Sequence, residues 1–179
     1  MYALLIAAGL GLSVMLSLFL IPEKPAWFFG PFLGLAASVP TIMLLSRRIG
    51  GQVRPLFETA TRQAQSGNIP AAIETLEKAL AYRRWQLFLE PQVNSQIGML
   101  HYASGDEKKA VEYLRRGYPK ESTGHLFLGA ALYRDGGLEP AREALEKGIQ
   151  FNKKSPVLYN FLAWLLAKEN KRDAALEVL

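Results

Sequence analysis

The sequence predicts an all-α protein in two parts, a two-helix transmembrane hairpin followed by an α-solenoid of about four helical hairpins, the last incomplete. Two observations predict this division. The first 46 residues contain only Glu23 and Lys24 as charged side chains, whereas the remainder contains 20 Lys and Arg and 15 Asp and Glu. From Val53 onward, small, apolar and turn-forming residues recur at intervals of about 34 residues, as expected for stacked helical repeats.

The hairpin is predicted within residues 1–48, from two uncharged runs. The first, Tyr2 to Ile21, has twenty residues and at about 1.5 Å per residue could cross a hydrocarbon core of about 30 Å. A cleaved signal peptide fits less well, because no basic segment precedes the run and no small-residue cleavage motif precedes Pro22. The second run, Ala26 to Ser46, follows a short turn, so the two spans should pair antiparallel.

Small residues at four-residue spacing are expected to let the two spans approach closely. In the first span they form two faces, Ala7 with Gly11 and Gly9 with Ser13 and Ser17, and in the second span they are Gly30, Gly34 and Ser38. The alternative is that they contact another membrane protein.

Arg47 and Arg48 follow the second span and, by the positive-inside rule, predict that the N-terminus and the repeats are cytoplasmic. We therefore expect a two-span integral protein of the bacterial inner membrane. Residues 49–52, Ile-Gly-Gly-Gln, are predicted to form a short flexible joint between the bilayer and the repeats.

The repeats are predicted at 53–90, 91–121, 122–155 and 156–179, each with two amphipathic helices around a turn. In the first repeat, the second helix is expected to be longer, to carry Trp85 and to end near Pro91. Three columns keep their register along the chain. The turn column is Gly67, Gly105, Gly136 and Asn170; a small column is Ala72, Ala110, Ala141 and Ala175; an apolar column is Leu76, Leu114, Leu145 and Leu179.

This pattern resembles the tetratricopeptide repeat (TPR) family over roughly residues 53–179. The family's small position in the first helix is matched by Ala60, Gly98, Gly129 and Ala163, whereas its first-helix aromatic is retained only as Tyr159 and its closing proline is missing. The resemblance implies a superhelix whose first helices line a concave groove for a peptide or a partner helix.

The positions that match this groove are apolar and aromatic with a basic edge, a composition typical of interface hot spots. They are Phe57, Met99, Tyr102, Leu126, Tyr133, Arg134, Asn160, Trp164 and Lys168. We expect them to bind a protein partner. For some, Met99 and Leu126 especially, the alternative role is packing between neighbouring repeats.

Nothing in the sequence indicates a catalytic, cofactor or metal site. The chain has no cysteine, and its two histidines, His101 and His125, fall on inward-facing stripes of first helices, where a buried packing role explains them best. Basic residues are spread over the repeats and interleaved with acidic ones, so they do not form the stripe that nucleic acid requires. We expect no enzyme activity, no cofactor, no metal and no nucleic-acid partner.

The leading hypothesis is a non-catalytic, membrane-tethered adaptor that holds a partner protein in the groove at the cytoplasmic face of the membrane. The alternative is a structural subunit or assembly factor of a membrane complex, which recognises other transmembrane subunits through its hairpin. Because the sequence ends at Leu179, within the second helix of the last repeat, an apolar edge is left open. We expect a longer array to continue there, and coverage by another chain is the alternative.

Overall fold

The computed structural model describes residues 2–19 and 26–178, and within these ranges the chain forms nine α-helices and one short 3-10 helix. The 3-10 helix, Leu80–Tyr82, directly follows the third α-helix. The α-helices are α1 (Tyr2–Phe19), α2 (Ala26–Gln65), α3 (Ile69–Ala79), α4 (Leu89–Ala103), α5 (Glu107–Arg115), α6 (Ser122–Arg134), α7 (Leu138–Phe151), α8 (Pro156–Lys168) and α9 (Arg172–Val178).

The helices from α2 onward pair in chain order and stack pair on pair. The second part of α2 packs on α3, α4 on α5, α6 on α7, and α8 on α9. Each later pair also contacts the pair before it, through α3 with α4, α5 with α6, and α7 with α8. The successive pairs therefore build the all-helical solenoid that the repeat pattern predicts.

Each helix pair is closed by a tight turn with one residue in the left-handed backbone conformation. The φ angle is +82° at Gly67, +81° at Gly105, +93° at Gly136 and +61° at Asn170. Glycine has no Cβ to clash in this conformation, and asparagine is among the side chains that tolerate it best. This backbone requirement explains why one column of the repeats contains only these two residue types.

Small residues in the first helices mark places where paired helices touch. A Cβ atom on Gly98 would lie 2.6 Å from Cγ of Leu114, and one on Gly129 would lie 2.9 Å from Cγ of Leu145. Both distances are shorter than carbon atoms tolerate, so a larger residue would push the second helix away. The small column of the first helices is therefore a packing requirement of the solenoid.

α2 is one continuous helix of 40 residues, about 60 Å long, and this corrects the prediction of a flexible joint at residues 49–52. Ile49 is 8% exposed and Val53 4% exposed, and both belong to the core cluster that includes Leu89 of α4. Because residues on both sides of the glycine pair are fixed in this core, Gly50 and Gly51 keep helical geometry despite their low helix propensity. The hairpin and the first repeat therefore share one helix.

We expect Gly51→Ala to stabilise the protein by about 0.5–1 kcal/mol. Gly51 is exposed in α2, and a Cβ atom built on it has no heavy atom within 4 Å, so alanine removes backbone entropy from the unfolded chain without a clash. Urea unfolding of the purified full chain, followed by circular dichroism, measures the change. A loss of stability would contradict a continuous helix at this position.

The connection between the first two repeats also differs from the prediction. α3 ends at Ala79, and residues 83–88 form a loop rather than an extension of the second helix. Phe88 has a φ of +62°, a left-handed conformation that a right-handed helix cannot contain. Pro91 lies in the first turn of α4, where the N–H group that proline lacks would have no helical partner.

α1 packs along α2, as a helical hairpin requires. The predicted first span ends at Ile21, which lies outside the described residues, as does the turn at 22–25. Within residues 2–19 and 26–178, no helix meets the combined length and hydropathy needed to cross a membrane.

Candidate partner-binding groove

Aromatic and basic side chains meet on the surface formed by α4, α6 and α8, which we call the groove surface. Its first cluster joins Tyr102 of α4 to two residues of α6. The rings of Tyr102 and Phe127 meet edge to face at 5.2 Å, and the guanidinium carbon of Arg134 lies 5.1 Å from the Tyr102 ring centroid. Arg134 Nη2 also lies 3.0 Å from Oε1 of Glu107, which fixes the cation over the ring.

The second cluster repeats this chemistry one repeat further along the chain. The rings of Tyr133 and Trp164 meet edge to face at 5.0 Å, and Phe161 lies 5.7 Å from Trp164. Lys168 Nζ lies 5.5 Å from the Trp164 ring centroid. Both clusters contain an aromatic pair that joins neighbouring repeats and a cation over one ring. Their geometry differs, because Arg134 lies over a ring of the preceding repeat and Lys168 over a ring of its own helix.

The remaining residues predicted for the groove are divided between core packing and two cavities. Met99 and Leu126 are half-buried against the core of the later repeats, so both contribute to packing between repeats. Phe57 is half-buried and lines a separate cavity of about 330 Å³ between α2 and α4. Asn160 is exposed and lines, beside Trp164, an open cavity of about 600 Å³ between α8 and α9.

Sequence reasoning missed three residues of the clusters, namely Phe127, Phe161 and Glu107. Phe127 and Phe161 share one repeat position, directly before the apolar residue that precedes the small column, so the repeat register alone could have identified them. Glu107 lies at the first position of α5, and nothing in the sequence indicates its pairing with Arg134 of the next repeat.

Both histidines lie in packing contacts. His125 is buried, its Nε2 is 2.9 Å from the carbonyl oxygen of Pro119, and its ring stacks on Phe151. His101 stacks on the ring of Tyr113, and burial lowers the pKa of His101 below its ordinary value although a nearby carboxylate opposes the shift. In the described part of the chain, no three His, Asp or Glu side chains lie close enough together to bind a metal ion.

Not all of the small residues in α1 and α2 face the other helix of the hairpin. Ala7 is 1% exposed and Gly11 is half-buried, whereas Gly9 and Ser13 are exposed. The Ser13 hydroxyl donates a hydrogen bond to the carbonyl oxygen of Leu10 at 2.8 Å, within its own helix. Ser38 is half-buried in α2, and the surroundings of Gly30 and Gly34 lie outside the described side chains. Arg47 and Arg48 are exposed in α2.

Several large apolar side chains are exposed among the described residues of the hairpin. Those of α1 and α2 that are exposed are Leu5, Ile6, Leu10, Leu12, Leu16, Val39, Met43 and Leu44. Exposed apolar surfaces of this extent are unusual for a surface in water and are typical of protein–protein or membrane interaction sites.

A family model for the tetratricopeptide repeat matches residues 91–118, which cover most of α4 and all of α5. The chain is a TPR-like α-solenoid. Its sequence matches none of the curated proteins.

Solved structures of low sequence identity share the fold of this TPR-like solenoid. A crystal structure of MamA protein is 16% identical, with a TM-score of 0.59 over 96% of this chain and 87% of the other. MamA from Desulfovibrio magneticus RS-1, residues 41 to the end, is 18% identical, with a TM-score of 0.58 over 96% and 90%. TPR-like repeats of a putative kinesin light chain from Podosopora anserina are 21% identical, with a TM-score of 0.56 over 71% of each chain.

Proposed function

We propose that the chain is a non-catalytic adaptor that binds a partner protein on the groove surface and is held at a membrane by the hairpin of α1 and the first part of α2. The observation that carries the binding part is the pair of matching clusters, Tyr102 with Phe127 and Arg134, and Tyr133 with Trp164 and Lys168. Their side chains are large, partly exposed and oriented by one another.

This arrangement suits a peptide or helix of a partner protein. Aromatic side chains offer a large contact area at a small cost in side-chain entropy, and they dominate the binding energy of many interfaces. Because Arg134 and Lys168 already lie over aromatic rings, less rotamer freedom is lost when a ligand binds. The α-solenoid fold supports the same role, since stacked repeats form extended binding surfaces.

The exposed apolar surface of the hairpin supports membrane attachment. Leu5, Leu12 and Leu16 of α1 are more than half exposed, and no charged residue occurs between Tyr2 and Ile21. A bilayer would cover these side chains, and the Arg47–Arg48 pair would then mark the cytoplasmic side of the bacterial inner membrane. The same surface supports one rival role, a structural subunit that packs against other transmembrane proteins.

An affinity purification of the full chain in mild detergent, with bound proteins identified by mass spectrometry, tests both parts. We expect the groove variant Tyr102→Ala with Tyr133→Ala to remain in the membrane fraction and to lose the partner. We expect the hairpin variant Leu10→Asp with Leu12→Asp to leave the membrane fraction and to keep the partner, since a buried Asp costs about 3 kcal/mol at the centre of a membrane helix.

Partner binding and membrane attachment can each be contradicted by a different result. Retention of the partner by the groove variant, together with its loss from the hairpin variant, would favour the structural-subunit role. A hairpin variant that distributes like the unmodified chain, with both chains in the soluble fraction, would contradict membrane attachment and leave the groove to be judged by partner capture alone.

A further inference from the structure

The loop at residues 83–88, Arg-Arg-Trp-Gln-Leu-Phe, exposes three large apolar side chains outside the groove surface. Trp85 is 38% exposed, and Leu87 and Phe88 are each 52% exposed. Two arginines precede them in the same loop, and both are exposed. Exposed aromatic and aliphatic side chains beside basic residues are characteristic of segments that lie in the headgroup region of a bilayer.

The first residues of α1 lie directly against this loop. The backbone N–H of Tyr2 donates a hydrogen bond to the carbonyl oxygen of Arg84 at 2.9 Å, and Arg84 Nη1 donates to the Tyr2 hydroxyl at 3.3 Å. The rings of Tyr2 and Trp85 meet edge to face at 5.4 Å. Backbone, side-chain and ring contacts thus fix the loop at the end of α1 where the long uncharged run begins.

The second helix of the hairpin, α2, is connected to the same region through core packing. Ile49, which follows the Arg47–Arg48 pair, shares a core cluster with Leu89, which follows the loop. The uncharged part of α2 therefore ends at the core cluster that the chain enters directly after the loop. If α1 and the uncharged part of α2 are embedded in a bilayer, the start of α1 lies at the boundary between hydrocarbon and water, and the loop that contacts it lies there too.

The backbone of the loop keeps its apolar side chains outward. Phe88 holds a left-handed φ of +62°, which costs about 1–2 kcal/mol for a residue other than glycine. Its ring meets Tyr118 edge to face at 5.6 Å, yet half of the side chain stays exposed. Strained residues of this kind are found where function needs a particular orientation.

From these contacts we propose that residues 83–88 form a membrane-interface loop, in which Trp85, Leu87 and Phe88 enter the lipid headgroup region. The inference rests on the membrane attachment proposed above. It adds a second point of attachment within the repeat array, which holds the first two repeats against the membrane surface.

Depth-dependent fluorescence quenching tests the loop separately from the hairpin. The full chain is reconstituted into phosphatidylcholine and phosphatidylglycerol vesicles that contain phospholipids brominated near the headgroup end of the acyl chains. Three variants each keep one tryptophan and replace the other two with Phe, leaving Trp85, Trp27 or Trp164. Trp27 reports on the hairpin, and Trp164 on the groove surface.

We expect bromolipids to cause a marked loss of fluorescence from Trp85 and from Trp27, and no loss from Trp164. Quenching of Trp27 without quenching of Trp85 would overturn the interface loop and leave membrane attachment intact. Absence of quenching at both positions would overturn the loop together with membrane attachment. Equal quenching of Trp164 and Trp85 would also overturn the proposal, because the contact would then not be specific to the loop.

Discussion

Gly148→Ala is expected to destabilise the protein by about 1–3 kcal/mol, the range for adding a methyl group to a packed core. A Cβ atom on Gly148 of α7 would lie 2.6 Å from Cβ and 2.8 Å from Cγ of His125 in α6. The imidazole cannot easily move aside, because its Nε2 is hydrogen-bonded to Pro119 and its ring stacks on Phe151. The two helices of the third repeat must therefore separate to admit the alanine.

Gly51→Ala is the matched control, since it makes the same chemical change in another helix. At Gly51 the added methyl group meets no neighbouring atom, so the two substitutions should change the free energy of unfolding in opposite directions. Urea unfolding of both variants in the same buffer and detergent measures the pair. A Gly148→Ala protein as stable as the unmodified chain would show that α6 and α7 are not in close contact at this point.

Trp164→Ala is expected to weaken partner binding by about 2 kcal/mol or more, which corresponds to roughly a 30-fold rise in Kd. Trp164 is 42% exposed, and it contacts Tyr133 and Phe161 while carrying Lys168 over its ring. Its removal would take away contact area and also release the cation from its fixed position. The loss should appear mainly in the dissociation rate.

Phe151→Ala is the control for this experiment, because Phe151 is a half-exposed aromatic residue on the second helix α7, away from the groove surface. Titration of the partner recovered by affinity purification, followed by calorimetry, gives Kd for each variant. An equal loss of affinity in both variants would point to a general effect of destabilisation. Unchanged affinity in Trp164→Ala would remove the second cluster from the binding surface.

The repeat architecture could be predicted from the sequence because its strongest signals are local. The left-handed backbone conformation of each turn accepts only a few residue types, which explains Gly67 and Asn170. The close contact between α4 and α5 likewise accepts only a small residue at position 98, where Gly98 lies against Leu114. Each requirement acts on one position per repeat, so it recurs with the period of the fold and is visible without knowledge of the tertiary structure.

Features that depend on tertiary contacts could not be predicted in the same way. Adjacent glycines at 50 and 51 indicate flexibility, but burial of Ile49 and Val53 overrides that local preference. In α1 the pairs Ala7–Gly11 and Gly9–Ser13 have the same spacing, and the sequence does not show that the face with Ala7 is the buried one. In the groove, the contact between Tyr133 and Trp164 depends on the angle at which successive repeats stack.

The unbroken course of α2 has a mechanical consequence for the proposed adaptor. A flexible tether lets a binding domain sample many orientations, whereas a single helix shared by the hairpin and the first repeat couples the orientation of the array to that of the hairpin. Over the roughly 60 Å of α2, a small tilt at one end becomes a displacement of several ångströms at the other. The groove surface would then face a direction set by the hairpin end of α2, and a partner able to turn that end could reorient the groove surface without touching it.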